Sequence, residues 1–170
     1  IRFLVSRPGD LDLSSSETDN FVGGMPLYQN GTDYGLALCK SWNAWRVLGL
    51  AVNARAIMAL GASTTSGGSN TGRGSWVYGS GTRVEVYQGT EPTNSTADGL
   101  SPYDSARTYA VGDRLYINDS GQLTNDTSFA RTANGTTGVL TGQEPIGTVM
   151  SPLPTSGTAS TPLVLQLVRI

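Results

Sequence analysis

The stretch Val111-Gly112-Asp113-Arg114-Leu115-Tyr116-Ile117-Asn118-Asp119-Ser120-Gly121-Gln122-Leu123 decides the fold class. Alternation puts Leu115 and Ile117 on one face and Arg114, Tyr116 and Asn118 on the other. A period of two marks a strand with one buried face. Asp119-Ser120-Gly121 suits a three-residue hairpin loop, with Gly121 supplying the positive φ that a side chain resists. Strand, turn and return strand are written into one short run.

The same element stands 88 residues earlier, as G-G-M-P-L-Y-Q-N-G at 23–31. Gly24 corresponds to Gly112, Leu27 to Leu115, Tyr28 to Tyr116 and Asn30 to Asn118. Asn30-Gly31 predicts a two-residue turn. Each copy is followed by a short apolar strand around a glycine, R-V-L-G-L-A-V at 46–52 and P-I-G-T-V-M at 145–150. Each then closes on an alternating strand, at 82–87 and at 163–170, the second apolar enough to be central in its sheet. Three modules in one order predict an internal duplication. The expected fold is therefore all-β: two tandem small β-barrel or β-sandwich lobes with an extended N-terminal arm. The boundaries fall at 1–16 for the arm, 17–90 for the first lobe, 91–101 for a Pro/Ser/Thr/Gly-rich linker and 102–170 for the second lobe.

A chain of 170 residues is long enough to bury a real core. Its 22 glycines, with abundant Ser, Thr and Asn, suit many turns, and long amphipathic helices are missing. Residues 51–60, rich in alanine, are the best helical candidate but also read as a strand and a bend. Residues 125–143 read as a polar loop. Charged residues make up 14% and the net charge is −2, so no basic face is expected for nucleic acid. No apolar run approaches a membrane span. One cysteine, Cys39, allows no internal disulfide, which fits assembly in a reducing cytoplasm.

Catalytic apparatus is not in view. The absence of histidine removes Ser-His-Asp and Cys-His catalysis and histidine metal sites. Cys39 has no base partner in the sequence and reads as a small buried hydrophobe. G-R-G at 72–74 and G-S-G at 79–81 lack the lysine of a phosphate loop. Asp10-Leu11-Asp12 lacks a third carboxylate at calcium-ligand spacing. No catalytic, cofactor or metal residue is assigned, and the chain is expected not to be an enzyme. A carboxylate pair for glycoside hydrolysis is the remaining enzymatic reading, although most of the 13 Asp and Glu sit beside turn-making residues.

Two segments are candidates for contact with a partner. Trp42 and Trp45 lie on an expected loop, where they cap the small core, anchor a protein interface or stack on sugar rings. Ile1-Arg2-Phe3-Leu4-Val5 alternates, with Ile1, Phe3 and Val5 on one face, and Pro8-Gly9 ends the run. It reads as an arm that adds a strand to a neighbour's sheet, or as the first strand of its own barrel.

The pieces G-G-M-P-L-Y-x-N-G at 23–31, R-V-L-G-L-A-V-N-A at 46–54 and R-V-E-V-Y at 83–87 resemble a tailed-bacteriophage capsid decoration (cement) protein. The second copy, with P-I-G-T-V-M-S-P and the last strand, is similar to the same pattern. The resemblance implies a non-enzymatic virion structural protein on the outside of an assembled capsid, stabilising it by clamping neighbouring subunits. It also implies the major capsid protein as partner, a homotrimer on the shell, and no nucleic acid, membrane or cofactor. The competing expectation is a carbohydrate- or receptor-binding module of a phage tail or fibre, using Trp42, Trp45 and Trp76.

Overall fold

The computed structural model describes residues 11–12, 21, 23–31, 35–51, 73–74, 76–86, 101–151 and 162–168. Among these the chain is mostly β-sheet, and its helical turns are two short 3-10 segments, Ser41–Arg46 and Thr127–Phe129. The first half carries β1 (Leu11–Asp12), β2 (Pro26–Gln29), β3 (Leu36–Leu38), β4 (Val47–Ala51), β5 (Arg73–Gly74), β6 (Trp76–Val77) and β7 (Arg83–Val86). The second carries β8 (Arg114–Ile117), β9 (Leu123–Thr124), β10 (Thr132–Ala133), β11 (Leu140–Thr141), β12 (Gly147–Ser151) and β13 (Leu163–Leu167). Residues 51–60 lie outside the described residues beyond Ala51, as do the arm at 1–5 and all of the linker except Ser101.

Two sheets carry the fold. One has the order β3-β2-β4-β6, the other β7-β13-β12-β8-β9. All the strand pairs in both are antiparallel. β13 is an interior strand between β7 and β12, in keeping with its apolar run, with Leu163, Leu165 and Leu167 wholly buried. β7 pairs along its length with β13, Val86 opposite Leu163 and Arg83 opposite Gln166. A strand that sequence order assigns to the first lobe therefore completes the sheet of the second.

The two opening strands are held alike. Gly24 (φ +91) and Gly112 (φ +92) each precede one, in a conformation open to glycine. Gly24 donates its N–H to the Ala51 carbonyl at 2.7 Å, and the Ala51 N–H returns to Met25 O at 2.8 Å. Gly112 and Asp113 make the same exchange with Val149, at 2.9 Å both ways. β2 then lies between β3 and β4, and β8 between β9 and β12.

The hairpin turns differ. Gly121 has φ +75 and closes the 118–122 loop as expected. The first turn is not the two-residue Asn-Gly turn that the sequence predicts. β2 and β3 are joined by residues 30–35, with Asn30 N–H on the Gly35 carbonyl at 2.8 Å, because the apolar pattern resumes only at Leu36. Residues 125–143 also depart from a plain loop, carrying the second 3-10 turn and the β10–β11 hairpin.

The larger core draws on both halves. Cys39, Ala44 and Leu50 pack with Val86, Leu115, Ile117, Leu123, Ile146, Val149 and the leucines of β13. A smaller cluster gathers Phe21, Met25, Leu27, Leu36, Leu38 and Ala51. Tyr116, expected to face water, is buried. β8 lies beside both 3-10 turns.

Candidate protein interface

Lys40 and the turn Ser41–Arg46 present two of the exposed large aromatic side chains among the described residues. The Lys40 N–H donates to Asn43 Oδ1 at 2.6 Å, and the Asn43 N–H donates back to the Lys40 carbonyl at 3.0 Å. That reciprocal pair closes the first turn, and Asn43 itself kinks it (φ −122, ψ 16). Ala44 drops into the core while the indoles on either side stay out, Trp42 65% exposed and Trp45 72% exposed. The expectation that one or both cap the core is thus corrected. Ala44 takes the core position at this turn instead.

The turn is braced at both ends. The Ser41 N–H donates to the Asn118 carbonyl at 3.1 Å, and its hydroxyl donates to the Asp119 carboxylate. At the other end the Arg46 guanidinium donates to the Gln29 carbonyl at 3.0 Å and stacks between Tyr28 (5.1 Å) and Trp45 (5.5 Å). The Lys40 ammonium lies 5.3 Å from the Trp42 ring. Such cation–π contacts contribute roughly 0.5–1 kcal/mol each at exposed sites. Two large aromatic surfaces are thereby presented to solvent on a fixed platform. Exposed aromatics of this kind, with cations beside them, are the composition of interface anchors.

Beneath the turn, Cys39 is wholly buried, and its thiol donates to the Asn43 carbonyl at 3.5 Å. Burial pushes the thiol up to about 12 against a partial opposing pull from Arg46. A thiol held protonated is a poor nucleophile. In the unfolded chain it ionises near 9.0, so between about 9 and about 12 the unfolded state binds fewer protons than the folded one. Stability is then fully present below pH 9 and falls as pH rises through that window. Tyr103 and Tyr109, both raised chiefly by burial, add to the same slope. Urea midpoints measured against pH are expected to decline above about 9, and less steeply in Cys39→Ala. An unchanged alkaline slope in that variant overturns the assignment.

The other ionised contacts are local braces. Asp126 is held low by the Ser128 backbone N–H and hydroxyl and pairs with Arg107; Arg131 and Glu144 close the base of the β10–β11 hairpin at 2.6 Å. Among the described residues no group of three or more His, Cys, Asp or Glu stands ready to hold a metal ion. Among them, too, no helix is long and apolar enough to cross a membrane.

Of the residues the sequence singles out for contact, Trp42 and Trp45 come together on this turn. Ile1, Arg2, Phe3, Leu4 and Val5 lie outside the described residues, as does the side chain of Trp76. Sequence reasoning missed Tyr28, Lys40 and Arg46 as supports. The run K-S-W-N-A-W-R at 40–46, a cation at each end of two tryptophans, carries that signal. It also missed the exposed pair Val139 and Leu140 on the β10–β11 hairpin. Comparison with protein-family models, with curated proteins and with solved structures gave no match to this chain.

Proposed function

We propose that this chain is a non-enzymatic virion structural protein that binds the outside of an assembled tailed-phage capsid and clamps neighbouring subunits. The observation that carries the reading is the braced, exposed pair Trp42 and Trp45, which we assign as the contact with the major capsid protein. The motif resemblance at 23–31, 46–54 and 83–87 supplies the partner. The alternating segment Ile1 to Val5 is the second fastener, and the assembled form is a homotrimer on the capsid surface, built in the host cytoplasm. The matched glycine exchanges at Gly24 and Gly112 support an origin of the two halves by duplication.

Interface anchors of this type are worth about 2 kcal/mol or more on truncation, so Trp42→Ala with Trp45→Ala is expected to weaken binding at least about thirtyfold. Both side chains are exposed, and the fold should survive. The test is co-sedimentation with heads assembled from the major capsid protein encoded in the same genome. The parent should bind at fixed stoichiometry and the double variant should not. Binding unchanged in the double variant refutes the assigned contact. A parent that ignores heads but binds a glycan array through the same tryptophans establishes the tail- or fibre-module alternative instead.

A further inference from the structure

The β10–β11 hairpin is an exposed element whose loop carries an unusual combination. Every residue from Arg131 to Gly142 is exposed. Within it Asn134 is followed by Gly135, where no side chain shields the next backbone nitrogen. The Asn134 N–H donates to the Val139 carbonyl, and the Gly138 N–H to the Asn134 carbonyl, both at 2.8 Å. The Thr136 N–H, at 2.9 Å, and the Thr137 N–H, at 3.3 Å, both donate to Asn134 Oδ1. The Gly135 N–H has no hydrogen-bond partner among the described residues.

We propose that Asn134 is a site of spontaneous deamidation and isoaspartate formation, driven by this arrangement. Two N–H donors on Oδ1 polarise the side-chain carbonyl and stabilise the oxyanion that forms when its carbon is attacked. The nucleophile is the Gly135 nitrogen, which gives its proton to water or hydroxide. A bond forms between that nitrogen and Asn134 Cγ, and the Cγ–Nδ2 bond breaks, releasing ammonia. Water then opens the resulting five-membered imide. Addition at Cγ gives aspartate, and addition at the main-chain carbonyl gives isoaspartate. No oxidant or reductant is needed.

The two products differ in consequence. Aspartate can still accept from Thr136 and Thr137 and keeps the turn, adding one negative charge. Isoaspartate lengthens the main chain by one carbon, which breaks the bond from the Asn134 N–H to the Val139 carbonyl and the register of Thr132 with Thr141. Ageing would thus loosen the hairpin that exposes Val139 and Leu140.

The protein carries its own comparison in Asn30-Gly31. Asn30 is half-buried, and a Cβ on Gly31 would stand 3.2 Å from the Arg46 guanidinium. Gly135→Ala supplies a second control, because a Cβ there meets nothing within 4 Å and the turn should hold. The experiment incubates the full chain at neutral and mildly alkaline pH and maps peptides by mass spectrometry with fragmentation that separates aspartate from isoaspartate. Asn134 should convert ahead of Asn30, faster at the higher pH, and Gly135→Ala should lose most of that product. An Asn134 that stays an amide, that converts no faster than Asn30, or that reacts equally fast in Gly135→Ala overturns the proposal.

Discussion

Replacing Gln143 with leucine is expected to destabilise the protein by about 3 kcal/mol, the cost of leaving two buried backbone groups unpaired. Gln143 is buried, and its side chain acts as a piece of strand. Its Oε1 accepts from the Ile117 N–H at 2.9 Å, and its Nε2 donates to the Ile117 carbonyl at 2.6 Å. β12 pairs with β8 only at Arg114 and Leu115, so Ile117 has no strand partner on that side. The amide supplies both halves of the missing rung. Leucine matches its bulk and supplies neither. Gln143→Glu sets a carboxylate oxygen against the Ile117 carbonyl in a buried place and should cost at least as much as leucine. The urea midpoint reads the difference, and a leucine variant as stable as the parent removes this role for Gln143.

The second large effect is expected at Gly24. An added Cβ would stand 2.3 Å from Val86 Cγ1 and 3.2 Å from Pro102 Cβ, in a backbone with φ +91. Left-handed strain costs roughly 1–2 kcal/mol, and forced overpacking roughly 1–3 more. Gly24→Ala should therefore lose about 3 kcal/mol. Gly112 has almost the same φ, yet nothing lies within 4 Å of its missing Cβ. Gly112→Ala should lose only the strain, about 1 kcal/mol. The pair separates conformation from packing, and Gly24→Ala with Val86→Ala should lose less than the sum of the two single losses. Equal losses at the two glycines would show that Val86 does not crowd Gly24. Val86 is on β7, so the contact also measures how firmly the first half is packed against the sheet that β7 completes.

How much of this was legible in the sequence depends on the range of the interaction. The strand through Leu115 and Ile117, the turn at Gly121 and the apolar run of β13 are local, and each appears where the sequence places it, although Tyr116 on the other face of the strand is buried too. Strand partners are not local. β7 looks like the closing strand of its own half, yet it pairs with Leu163–Gln166 across the linker, a choice made by the shared core. Tyr116 is buried on the face that alternation assigns to water, and β8 lies beside two 3-10 turns from other parts of the chain. Gln143 in a polar run gives no hint of burial, because its value comes from a gap in a ladder formed elsewhere. The tryptophans were visible as a pair, but their exposure follows from Ala44 taking the core position between them.

The proposed role rests most directly on where the turn Ser41–Arg46 sits when the protein is on a shell. A cryo-electron microscopy reconstruction of heads assembled with this chain reads that position. Density is expected for three copies about a local three-fold on the outer surface, with Trp42 and Trp45 buried against the major capsid protein. Heads that carry the chain with both indoles facing solvent, or heads that do not carry it at all, would contradict the account.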